Sequence, residues 1–230
     1  MIVDLLAEAS AYPAIIGALL IGSLGRGNAI PGSDIDLLLL LADGQGQTRI
    51  LQNHEREGIL IEFHYRDVAT ALAQIEEAPN WQYAYLSGRI LYDPTGRLAT
   101  LVAEVRVRSA AWRPTAAQRR RHAFYADRTG HKLQAAVDAA DALRAGGVAS
   151  TYAPAMLDCL WLAYDRPSLG VTEMWCHLPE LVGLPAEIVE HLRQLFLGDP
   201  FERARAGIAI CAHAVERLGG PVIDPYAIEG

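Results

Sequence analysis

An α/β half followed by an all-helical half is the architecture this sequence predicts. Two nearly unbroken aliphatic runs, Ile15–Ile21 and Ile35–Leu41, have the composition of strands buried on both faces. A third run, Ile59–Tyr65, alternates so that Glu62 and His64 share one face and Ile61, Phe63 and Tyr65 the other. No β-rich segment follows Tyr92, and from Pro114 onward the chain is alanine-rich and helix-favouring. A boundary near Arg113-Pro114 therefore predicts two domains, residues 1–112 and 113–230.

Taken in order, Val3–Ala11 carries apolar residues at Val3, Leu5, Leu6 and Ala9, an amphipathic helix that Pro13 ends. The strand Ile15–Ile21 runs into Gly22-Ser23, and Ser33 precedes the second strand. Asp43-Gly44 with Gly46 marks a turn, and the charged stretch Asn53–Glu57 reads as polar connection. Asp67 is placed to cap a helix over Val68–Glu77, which stops before Pro79. Arg89–Tyr92 is a short strand followed by the turn Asp93-Pro94-Thr95-Gly96. In the second half, helices are predicted over Thr115–Ala145, Tyr152–Tyr164, Ala186–Leu197 and Phe201–Leu218, with Pro154 in a first turn and Trp161 and Trp175 in the helical core.

Composition narrows the function. A 51% hydrophobic content and a mean hydropathy of +0.13 predict a filled core rather than disorder. No apolar run approaches the roughly 20 residues of a membrane span, and the acidic N-terminus is unlike a signal peptide, so a cytoplasmic protein without membrane association is expected. A net charge of −7 argues against a nucleic-acid partner and suits a cationic one. Cys159, Cys176 and Cys211 are odd in number and scattered, which predicts buried thiols. Arg119-Arg120-Arg121 covers every side of one helical turn and reads as solvated surface.

The chemistry is concentrated near the start. Asp34 and Asp36, two apart at the mouth of an apolar strand, project to one face, and a neighbouring strand would set Glu62 beside them. Carboxylates held that close call for a hard cation, and Mg2+ with oxygen ligands fits. Gly22 permits close backbone approach to a phosphate, Ser23 offers a hydroxyl and, as the cap of a following helix, free N–H groups, and Arg26 adds a fork suited to phosphate oxygens.

Gly22-Ser23 followed by Asp34-Ile35-Asp36 resembles the signature of the nucleotidyltransferase superfamily built like DNA polymerase β, with Glu62 matching its third acid. Gly22-Ser23-Leu24-Gly25-Arg26, Ser33-Asp34-Ile35, Leu60-Ile61-Glu62-Phe63, Ile90-Leu91-Tyr92-Asp93 and the segment from Glu216 to Asp224 are similar to the aminoglycoside nucleotidyltransferases of the kanamycin 4'-O type. The resemblance implies a nucleotidyltransferase fold with a mixed sheet, followed by a helical bundle that binds the acceptor. It further implies AMP transfer from ATP to a hydroxyl of an aminoglycoside-like molecule, pyrophosphate leaving, and hence antibiotic inactivation.

On that resemblance two Mg2+ ions would sit on Asp34, Asp36 and Glu62, Gly22, Ser23, Arg26 and Ser33 would bind the nucleotide, and a homodimer would complete the site. The general base falls on Asp127, where the family has Glu, with Asp138 and Asp141 as alternatives on the same helical stretch. Protein hydroxyls, as for nucleotidyltransferase antitoxins, or another antibiotic such as a lincosamide are the competing acceptors. A nucleotide-binding module without catalysis is the competing class, opposed by the intact acids.

Overall fold

The computed structural model describes residues 2–45, 50–169 and 173–224, and Gly46 of the expected turn lies outside them. The chain divides into two compact units, Met1–Ala111 and Trp112–Gly230.

The first unit is a five-stranded mixed sheet in the order β3-β4-β2-β1-β5, built from β1 (Ile15–Ile21), β2 (Ile35–Leu41), β3 (Ile50–Arg56), β4 (Ile59–Arg66) and β5 (Arg89–Tyr92). β1 pairs antiparallel with β2 and β5, β3 antiparallel with β4, and β2 parallel with β4. The two aliphatic runs become the central strands because only there are both faces covered. On one face Leu19, Ile21, Leu38 and Leu40 pack against Ala71, Ile75, Tyr85, Leu98, Leu101 and Val105. These partners come from α3 (Val68–Glu77), α4 (Gln82–Ser87) and α5 (Arg97–Ala111). On the other face Leu20, Ile35, Leu37 and Ile61 meet Leu5 of α1 (Ile2–Ser10). Asp67 caps α3 by accepting from the Thr70 N–H at 2.8 Å.

Three local features depart from the sequence reading. The polar stretch around Asn53–Glu57 largely belongs to β3, whose Asn53, His54 and Glu55 are exposed, as an edge strand tolerates. Gly22–Arg26 forms a one-turn helix, α2, with Ile21 at its N-cap; Ser23 lies inside this turn and does not cap it. Helix α5, fifteen residues long, was not expected, its mixed charge and apolar pattern giving a weak periodic signal.

The second unit is helical: α6 (Ala116–Asp138), α7 (Ala142–Ala163), α8 (Met174–His177), α9 (Ala186–Leu197) and α10 (Pro200–Leu218). The expected helix Thr115–Ala145 is two helices, broken at Ala140, which takes a φ of 52°, and restarted by Asp141, whose carboxylate accepts from the Arg144 N–H at 2.9 Å. Consequently Pro154 lies inside α7 rather than in a first turn. α6, α7 and α10 pack on small residues: a side chain on Gly207 of α10 would press on Leu133 at 2.8 Å and Met156 at 3.1 Å. Trp161 is buried in this core, whereas Trp175 is 39% exposed and meets Phe196 edge-on, so only the first belongs to the core as expected. Cys159 and Cys211 are buried, Cys176 is exposed on a short helix whose Met174 and His177 face inward, and no described cysteine forms a disulfide. Among the described residues no helix is long and apolar enough to cross a membrane.

Candidate metal and nucleotide site

Register assembles the acids. Asp36, the second residue of β2, stands opposite Ile21 of β1 on one side and opposite Glu62 of β4 on the other, and the parallel pairing continues with Leu38 opposite His64. Asp36, Glu62 and His64 therefore share the face that carries Leu19, Leu38 and Leu40. One ligand atom from each lies within 4.8 Å of the others. Asp34 precedes the strand and is not part of this compact set, although its charge reaches Asp36.

Burial and the crowding of charge act together on these groups. Burial, then the charges of Asp34 and Glu62, and a hydrogen bond with Glu62 push the Asp36 carboxyl up to about 6, while Arg26 pulls the other way. Burial and the neighbouring Arg66 push the His64 imidazole down to about 4. His64 Nε2 stands 3.9 Å from Glu62 Oε2, and its ring meets Trp81 edge-on with centroids 5.3 Å apart. Two carboxylates and an imidazole, short of positive charge, form a donor set that a divalent cation would complete.

Gly22 is tied to this cluster on two grounds. Its φ of 65° is left-handed, and a Cβ there would overlap Asp36 Oδ2. The glycine thus makes room for the acid. Beside it the Ser23 hydroxyl is buried without a hydrogen-bond partner, an unmet polar group that a phosphate oxygen would satisfy. Arg26 ends α2, close enough for its charge to be felt at Asp36. Ser33 behaves differently: its Oγ accepts from the Ile30 N–H at 3.0 Å and its own N–H donates to the Ile30 carbonyl, so it clasps the loop before β2.

The three base candidates have unlike surroundings. Asp141 caps α7, and Asp138 accepts from Gln134 Nε2 at 2.7 Å on an exposed face. Asp127 alone of the three lines a cleft of about 840 Å3 in the second unit, with His131 Nε2 at 3.6 Å from its carboxylate and Cys211 and Glu216 across it. Arg119, read as solvated, is paired with Asp165. Tyr83 and Tyr85 are core residues of the first unit. His64 was placed on the Glu62 face by alternation, but its closeness to both acids came only with the parallel register of β2 and β4.

No curated protein is significantly similar to the chain. A nucleotidyltransferase-like protein from Exiguobacterium sibiricum has a solved structure that covers 93% of this chain and 72% of its own, at 13% identity and a TM-score of 0.43, too loose a likeness to carry an argument. Residues 4–87, which run from within α1 to the end of α4 and hold Gly22, Ser23, Asp34, Asp36 and Glu62, match the family described as nucleotidyltransferase domain, and this match supports a transferase.

Proposed function

We propose that the chain transfers a nucleoside monophosphate, AMP from ATP, to a hydroxyl of a cationic, aminoglycoside-like small molecule and so inactivates it. The observation that carries this reading is the pairing of Asp36 with Glu62 directly beside Gly22 and the unpartnered Ser23 hydroxyl, acids and phosphate cradle in one place.

A divalent cation held by Asp36 and Glu62, with Asp34 nearby, would supply charge neutralisation for the triphosphate and for the departing pyrophosphate. The chain's own groups do the rest. Ser23 donates its hydroxyl to a phosphate oxygen, and Arg26 sets a fixed positive charge there. Asp36 and Glu62, on adjacent paired strands, hold their oxygens in place without reorganising during the reaction. Asp127, on the wall of its cleft, is the acid we assign to take the proton of the acceptor hydroxyl. Glu216 on the same cleft and the net charge of −7 favour a cationic acceptor over an anionic one. The protein acts as a homodimer in this reading, and ATP is the nucleotide.

The test is incubation with Mg-ATP and a panel of aminoglycosides, following pyrophosphate release and product mass. One acceptor should gain the mass of an AMP group. Release with protein hydroxyls or lincosamides only would replace the acceptor class and keep the chemistry.

A further inference from the structure

The same site carries a nitrogen donor that an all-carboxylate magnesium centre does not need. We propose that His64 is a third protein ligand to the cation held by Asp36 and Glu62, and that its imidazole nitrogen biases the site toward Mn2+ and other transition ions over Mg2+. This rests on the reading of the acids as a cation site.

Geometry carries the argument. Glu62 and His64 are two apart on β4 and so project to one face, the face on which β2 presents Asp36. The Nε2 to Oε2 distance of 3.9 Å and the mutual spacing within 4.8 Å place three donors around one point. Ligands about 2.1 Å from an octahedral ion stand about 3 Å apart when adjacent and about 4.2 Å apart when opposite, so modest side-chain rotation closes the set. His64 is 9% exposed, and the edge-on Trp81 ring restricts its rotation, the arrangement expected of an oriented ligand rather than a surface histidine. Asp34, in contrast, is outside this compact set.

Ligand chemistry then sets the preference. Oxygen ligands suit Mg2+, whereas imidazole suits later ions, and a nitrogen added to two carboxylates shifts affinity along the order Mn2+, Co2+, Zn2+. Mg2+ also gives up its water reluctantly, and a third protein donor displaces one more.

The experiment is pulsed electron paramagnetic resonance of the full-length, metal-free protein loaded with substoichiometric Mn2+. The spectrum should show 14N modulation from a directly bound imidazole, replaced by the 15N pattern when the histidines are labelled with 15N. In His64→Gln, and in His64→Asn as a second variant, the modulation should vanish while Mn2+ stays bound. The ratio of Mn2+ to Mg2+ affinity should fall at least about tenfold, the scale on which even outer-shell partners act. Bound Mn2+ without nitrogen modulation in the unsubstituted protein overturns the ligand assignment and leaves the acidic site standing, and no Mn2+ binding overturns both. Modulation that persists in a folded His64 variant assigns the nitrogen to another histidine and overturns the proposal.

Discussion

At the scale of single residues, Asp36 and His64 make opposite demands on pH. Asp36 binds its proton more tightly folded than unfolded, so in the cation-free protein its contribution is present below about pH 4 and lost as pH rises through about 6. His64 binds its proton less tightly folded than unfolded, so its contribution is present above about 6.5 and lost as pH falls toward 4. The two slopes oppose each other across the same window. In EDTA, Asp36→Asn should therefore melt at temperatures that rise between pH 4 and 6.5 more steeply than the unsubstituted protein, and His64→Gln at temperatures that rise less steeply or fall. Parallel melting curves for all three would show that these groups are not buried together. Gly22→Ala combines a left-handed backbone with an overlap on Asp36, and we expect a loss of about 1–3 kcal/mol in denaturant titrations together with loss of cation binding. A variant that keeps both would mean that the turn relaxes freely.

At the scale of elements, caps and close helix contacts separate structural acids from the candidate base. Asp141→Ala should cost about 1 kcal/mol in denaturant titrations because it leaves the first turn of α7 uncapped, whereas Asp138→Ala on the exposed end of α6 should lie within about 0.5 kcal/mol of the parent. Gly207→Val should cost about 1–3 kcal/mol, since Leu133 and Met156 already stand where its side chain would go. How legible each element was follows from what held it. β1 and β2 were readable as nearly continuous aliphatic runs buried on both faces, β4 by the alternation that sets Glu62 and His64 on one side, and β5 by its short run ahead of the Asp93–Gly96 turn. β3 was not, because an edge strand answers to hydrogen bonding along one side and its exposed Asn53, His54 and Glu55 carry no apolar signal. The break between α6 and α7 was hidden by alanine: Ala139 and Ala140 favour helix by propensity, yet the chain turns there through a positive φ. Of the site, Asp36 and Glu62 were legible as paired acids. The exclusion of Asp34 from the compact set, the loop-clasping role of Ser33 and the approach of His64 depend on register and loop path, which spacing in the sequence does not encode.

At the scale of the molecule, the residues proposed to hold the cation and to bind phosphate all lie within Met1–Ala111, a unit with its own sheet and cores on both faces. Residues 1–111 expressed alone should therefore bind Mn2+ with an affinity within about tenfold of the whole chain, read by the free Mn2+ signal. Their transfer should fall by about 10²-fold or more, since the acid assigned as base lies in the helical unit. Asp127→Asn in the full chain should lower kcat by about 10²-fold or more and leave cation binding unchanged, the signature of a lost base. The central claim is that the paired acids of the sheet hold the cation for nucleotidyl transfer, and the most direct measurement follows α-32P from Mg-ATP into an aminoglycoside acceptor, comparing the parent protein with Asp36→Asn. The account predicts acceptor-dependent labelling by the parent and a loss of about 10³-fold or more in the variant; labelling that survives in Asp36→Asn, or none with any acceptor in the parent, would contradict it.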